Sequence, residues 1–242
     1  MKDQLTNFGG VLAVFASLTL AANAATVVPV TAISGHNNRD NFGGNLGDLT
    51  SGEEMAKGNV NDPSTWTTTT NGFATQWQAW ARLDSGTSNN GKIGWAALDF
   101  GTTTVGLQNL YLWNVRDNPT TRGVNEYNIY YANTLGAALP AAPTSNTGTV
   151  DYTFSGANGW TKFNASLLTL ATANTTIGSG AEGTIALGGI SARYVAIEII
   201  SAKGVDAAGR VGLGEMAVTV IPEPSSFLLG GLGALLLLRR RR

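Results

Sequence analysis

The 242-residue sequence has no cysteine, one histidine and only 13% charged side chains. Without a thiol there is no disulfide framework, no cysteine nucleophile, no thiolate metal site and no lipidated N-terminal cysteine. His36 stands alone in the polar stretch "SGHNNRDN". A Ser-His-Asp relay would have to draw on it, and no nucleophile elbow lies nearby. Helical periodicity is scarce too: between the two ends, no helix-period segment runs longer than a turn or two.

What is present is glycine, 31 residues of it, together with long Thr, Asn and Ser stretches. That composition predicts many short strands joined by tight turns. The length suits one domain plus terminal segments, and it is enough to bury a core without cross-links.

Both ends read as processing segments. Lys2 precedes the apolar run "VLAVFASLTL", and "AANAA" follows with Ala22 and Ala24 in the small-residue pattern of a secretory cleavage site. Residues 1–24 are therefore expected to form a signal-peptide helix, cut after Ala24. The chain ends "VIPEPSSFLLGGLGALLLLRRRR". From Ser225 to Leu238 there are 14 residues, which as a hydrophobic helix would span ~21 Å against a hydrocarbon core of ~30 Å. Gly230, Gly231 and Gly233 lower its helix propensity, and Pro222 and Pro224 block extension upstream. Such a segment suits a transient stay in the inner membrane, with Arg239–Arg242 held on the cytoplasmic side by the positive-inside bias. Residues 25–224 carry ten basic and fifteen acidic side chains, a net charge of −5. That body offers no basic stripe for phosphate backbones, so nucleic acid is not an expected partner.

The "IPEP" sequence, the short Leu/Gly-rich span and the arginine cluster together resemble the PEP-CTERM sorting signal of Gram-negative bacteria that make extracellular polysaccharide. The resemblance implies processing by an exosortase, a membrane-embedded cysteine protease-transpeptidase, with Pro222, Glu223 and Pro224 as the recognised triplet. It also implies passage from the inner membrane to the cell surface, outer membrane or extracellular matrix.

Between the signals, strands are expected at residues 27–33, 65–69, 76–83, 94–100, 107–115, 124–132, 150–154, 183–187, 194–201 and 212–220. Long loops are expected at 133–148 and 171–183. Ten short antiparallel candidates in one domain, residues 25–220, predict an all-β antiparallel sandwich of jelly-roll type. In "WAALDFG", Trp95, Ala97 and Asp99 share one face and Ala96, Leu98 and Phe100 the other. In "RYVAIEII", Val195, Ile197 and Ile199 form a wholly apolar face that should pack on the opposing sheet.

Three blocks, "GWAALDFGTTTVGLQNLYLWN", "RGVNEYNIYYAN" and "ARYVAIEIIS" with "RVGLGEMAV", resemble in order the discoidin, or coagulation-factor type C, group of galactose-binding-like domains. The resemblance implies a jelly-roll sandwich, often an extracellular carbohydrate- or surface-binding module, often with one structural calcium. In that group an early Asp-Gly loop and the glutamate of the closing strand share the ion, which here implies Asp48 and Glu215. The sequence departs from the pattern at Ser51, before Gly52, where an aspartate is common.

A sugar site needs an exposed aromatic for the ring face and amide or charged side chains for the hydroxyls. The candidates are Trp77, Trp80, Arg116, Asn118 and Arg122, while Trp95 and Trp113, inside apolar strands, are assigned to the core. Asp99, Glu126, Glu198 and Glu215 are the carboxylates a glycosidase pair would draw on, with nothing to show that any two face each other. The expected function is that of an exported, non-catalytic module binding extracellular polysaccharide or a surface glycan. A purely structural matrix or adhesion protein is the alternative, and a weak glycan hydrolase the third.

Overall fold

The computed structural model describes residues 25–35, 46–69, 75–80, 94–116, 120–141, 152–204 and 210–221. Eleven strands run through them: β1 (Thr26–Val27), β2 (Ala32–Gly35), β3 (Met55–Lys57), β4 (Trp66–Thr68), β5 (Trp77–Trp80), β6 (Gly94–Asn114), β7 (Val124–Ala132), β8 (Thr161–Lys162), β9 (Leu168–Thr169), β10 (Gly183–Ala202) and β11 (Arg210–Val220). Among the described residues the only helical turns are of the 3-10 type. All pairings between these strands are antiparallel.

The long strands β6 and β10 organise the molecule. They pair with each other twice, Gly94–Asp99 against Tyr194–Ile199 and Leu107–Leu112 against Gly183–Ile190. The first pairing is extended by β2 beside β6 and by β7 beside β10, with β8 and β9 in turn on β7. The second is extended by β11, which carries β1 and β5. Between the two halves the register shifts three times, from Ala186 to Tyr194. Gly188 and Gly189 lie there at φ of 67° and 80°, a left-handed conformation that only glycine adopts without cost. The strands bend at this point, so the two halves fold over one another as a sandwich. Its inner core joins Ala96, Leu98 and Ile197 of one half to Leu110, Leu112 and Leu213 of the other.

The strand alternation read from sequence holds. Ala96, Leu98, Phe100, Val195, Ile197 and Ile199 point into the inner core. Trp95, Ala97 and Tyr194 point outward into a second cluster, roofed by Phe154 and Trp160. Trp113 and Tyr111 point outward from the other half, where the β3–β4 hairpin lays Trp66 on Trp113 at 6.0 Å between ring centroids. Trp95 and Trp113 are thus buried as expected, each under an outer cover and neither in the inner core.

Several boundaries differ from expectation. The run 27–33 is divided, because Pro29 has no N–H to donate: β1 pairs with β11 and β2 with β6, so one apolar run serves both halves of the sandwich. Each of β6 and β10 is a single strand where two were expected. Residues 152–154 of the expected strand 150–154 are not in a strand. Tyr152 and Phe154 alternate because both rings pack on the Trp95 side, at 5.5 and 5.7 Å, while the following backbone closes local turns onto Ser155. The expected terminal helices lie outside the described residues.

Candidate functional site

The described residues 114–116, 121–124, 171–182 and 203–204 meet at one end of the sandwich, where the sequence candidates Arg116 and Arg122 lie. Asn114 closes β6 there. Its side-chain amide donates to the carbonyls of Val124 and Ala171, both at 2.9 Å, and its carbonyl accepts from the Val115 and Val124 N–H groups at 3.0 and 2.8 Å. A Cβ on Gly123 would meet that amide oxygen at 2.6 Å, which explains the glycine of "RGV". Arg116 turns inward, with 2% of its side chain exposed, and pairs with Glu182 at 2.6 Å. Its guanidinium also donates to the carbonyls of Asn174 and Gly180. Glu182 in turn accepts from the backbone N–H groups of Asn114 and Asn174. Each of these hydrogen bonds ties the protein's own loops together.

The remaining sequence candidates are dispersed. Trp77 is wholly buried in the inner core, so its ring offers no platform to a ligand. Trp80 pairs with Arg210 in β5–β11, and its side chain lies outside the described set. Arg122 is half-buried at the end of the 3-10 turn Thr120–Arg122. Asn118, Ala22, Ala24, Pro222, Glu223 and Pro224 lie outside the described residues. Asp48 is half-buried in the 3-10 turn Leu46–Thr50, and its backbone carbonyl accepts from the Ser51 N–H and hydroxyl. Glu215, 4% exposed on β11, accepts the Gly52 N–H at 2.8 Å. Burial pushes its carboxyl up to about 8, against the opposing pull of the Gly52 N–H and of Lys57.

Each of the four carboxylates considered for a hydrolase has partners of its own. Asp99 is paired with Arg193, Glu126 accepts from the Ser201 hydroxyl at 2.8 Å, and Glu215 is tied to Gly52. Glu198 accepts from Tyr130 and Asn128 at 2.9 and 3.0 Å, inside the outward cluster. Burial, and after it the Glu198 charge, raises the pKa of the Tyr130 phenol far above its ordinary range.

An open cleft of about 450 Å³ lies elsewhere, where β2, β6 and β10 meet the segment after β7. Asp99 and Tyr194 are cross-strand partners, so the register brings Arg193 beside Asp99. The guanidinium forms a two-pronged pair with the carboxylate, Nε to Oδ1 at 2.9 Å and Nη2 to Oδ2 at 3.0 Å. It also lies 4.8 Å from the Tyr194 ring centroid. The Gly101 N–H adds a third bond to Asp99 at 2.7 Å. The hydrogen bonds from Arg193 hold the Asp99 carboxyl below its ordinary value. The Arg193 side chain is 38% exposed, and its Nη1 group is unpaired among the described residues. Asn133, Ser34 and Thr134 add polar lining; Leu135, Ala138 and Leu139 form an apolar wall. The sequence sets Asp99 on the same face as Trp95 and Ala97 but gives no sign of this cleft. The signal that locates it is the pairing of "LDFG" with "ARY", legible once the two strands are aligned.

Residues 220–242 match the PEP-CTERM protein-sorting motif, the mark of secreted, exosortase-processed surface proteins. No curated protein matches the chain. Among solved structures, the chain is similar to an F5/8 type C domain from Bacteroides fragilis, at 12% identity and TM-score 0.45, covering 81% of this chain and 97% of that one. It is also similar to a fucose-binding module from Streptococcus pneumoniae, at 11% identity and TM-score 0.44, covering 81% and 94%. A third similarity is to a truncated protein with CBM32 and alginate lyase domains, at 11% identity and TM-score 0.41; it covers 84% of this chain but 35% of that one.

Proposed function

We propose that the chain is an exported surface protein whose sandwich, residues 25–220, is a non-catalytic carbohydrate-binding module, and that the sugar sits in the Asp99–Arg193 cleft. The observation that carries this reading is the exposed carboxylate–guanidinium fork beside an apolar wall, in a cleft of about 450 Å³. A sugar offers hydroxyls that both donate and accept, together with apolar C–H faces. Such a fork answers the hydroxyls and such a wall the C–H faces. A volume of this order holds one or two sugar units and lies within the ordinary range for small-molecule sites. The PEP-CTERM motif supports the setting, a cell surface or polysaccharide matrix reached through an exosortase.

The test is glycan binding by the purified protein, first on an array and then by calorimetry. Arg193→Ala and Asn133→Ala should each weaken binding by about tenfold or more, the scale of a lost hydrogen bond to a charged or amide group. If no glycan binds, the protein is a structural matrix component; turnover of a bound glycan would overturn the non-catalytic reading.

A further inference from the structure

Beyond the cleft, β11 carries a buried carboxyl group. Glu215 is 4% exposed, and the Gly52 N–H reaches its Oε2 at 2.8 Å. A buried carboxylate is costly unless a cation or several donors accompany it. The discoidin resemblance gives that part to calcium, which takes six to eight oxygen ligands at ~2.3–2.6 Å. Here the neighbouring loop turns its oxygens onto itself. The Asp48 carbonyl accepts from Ser51, the Gly52 carbonyl from the Met55 N–H at 3.2 Å, and the Glu54 carbonyl from Thr69 at 2.8 and 2.9 Å. The Glu54 carboxylate accepts from Thr75 and from Gln76. Among the described residues no group of three or more His, Cys, Asp or Glu side chains could hold a metal ion.

A cation of another kind is already there. Lys57 lies on β3 opposite Trp66 of β4, and its ammonium sits 4.6 Å from the Trp66 ring centroid. A Cβ added to Gly52 would collide with that ammonium, so Nζ fills the space directly over the residue whose N–H holds Glu215. Lys57 and Glu215 also line one small cavity with Trp66. We infer that the Lys57 ammonium, steadied by Trp66, is the built-in counter-cation of Glu215, taking the position the resemblance assigns to calcium and making the fold independent of metal. A Ca²⁺ ion placed here would meet the ammonium as a like charge, and the oxygens named above already accept hydrogen bonds. Trp66 contributes by cation–π attraction, which strengthens where water is excluded.

Thermal unfolding of the full-length protein, with a double-mutant cycle, tests this. The wild-type midpoint should be the same in millimolar CaCl₂ and in EDTA. Lys57→Met should lower it, Lys57→Arg should retain it, and the loss from Lys57→Met should shrink by half or more in a Glu215→Gln background. A wild-type midpoint that rises with Ca²⁺, and stops rising in Glu215→Gln, would overturn the inference. So would an equal loss from Lys57→Met in both backgrounds, which would mean that Lys57 acts through Trp66 alone. Should Lys57→Met fail to fold, the calcium arm on the wild type and the Lys57→Arg midpoint still decide the matter.

Discussion

Arg116 carries the sharpest difference between a side chain's neighbours in sequence and its neighbours in space. It follows "LYLWN" and precedes a turn-rich stretch, which is where an exposed, ligand-seeking guanidinium would stand. Its partner Glu182 is 66 positions away, and no local pattern links the two. With 2% and 5% of the two side chains exposed, the pair is a buried pin for the 171–182 loop. Arg116→Ala strands the Glu182 carboxylate, and breaking one side of such a pair costs about 3–5 kcal/mol. Urea unfolding of Arg116→Ala should show a loss of that order. Arg116→Met combined with Glu182→Met should regain most of it, because no buried charge is then left unpaired. Trp77 repeats the lesson in apolar form: an aromatic in a Thr-rich context looks exposed, but β5 pairs with β11 and the ring lies in the inner core.

At the scale of elements, alternation was the most legible feature, because side-chain direction in a strand follows from parity alone. It set Leu98 on the face opposite Trp95 and gave Val195 and Ile197 to the packed face, while which side of the sheet Trp95 takes came only from the structure. Glycine misled it twice, since Gly101 and the Gly188–Gly189 pair read as strand ends and are bends within β6 and β10. Two glycines here have different work, and their substitutions should differ accordingly. Gly189 lies at φ of 80° with only the Gln108 side-chain nitrogen near, at 3.6 Å, so Gly189→Ala should cost about 1–2 kcal/mol of backbone strain and keep every strand. Gly212 sits opposite Gln78, and a Cβ there would strike the Trp77 carbonyl. Gly212→Ala should detach β5 from β11, seen as faster amide exchange across Trp77–Trp80 while β6 and β10 stay protected.

For the whole molecule, the two ends and the body meet in one itinerary. On the reading proposed above, a signal peptide would export the sandwich, the hydrophobic span would pause in the membrane with its arginines inside, and the Pro-Glu-Pro triplet would serve as the address. Mass spectrometry of the surface-exposed form should therefore find a C-terminus near Pro224; recovery of that form with Arg242 intact would count against processing there. The sorting motif and the all-β class were decided by sequence alone, because both are written in contiguous residues: a linear motif read by another protein, and a period-two alternation between turns. The cleft beside Asp99 and the burial of Glu215 against Gly52 were decided only by tertiary structure. Arg193 meets Asp99 94 positions away through strand register, and Gly52 reaches Glu215 across 163. Whether a charge faces solvent, a ligand or a partner depends on which distant strand lies beside it, and a single chain read along its length does not carry that information.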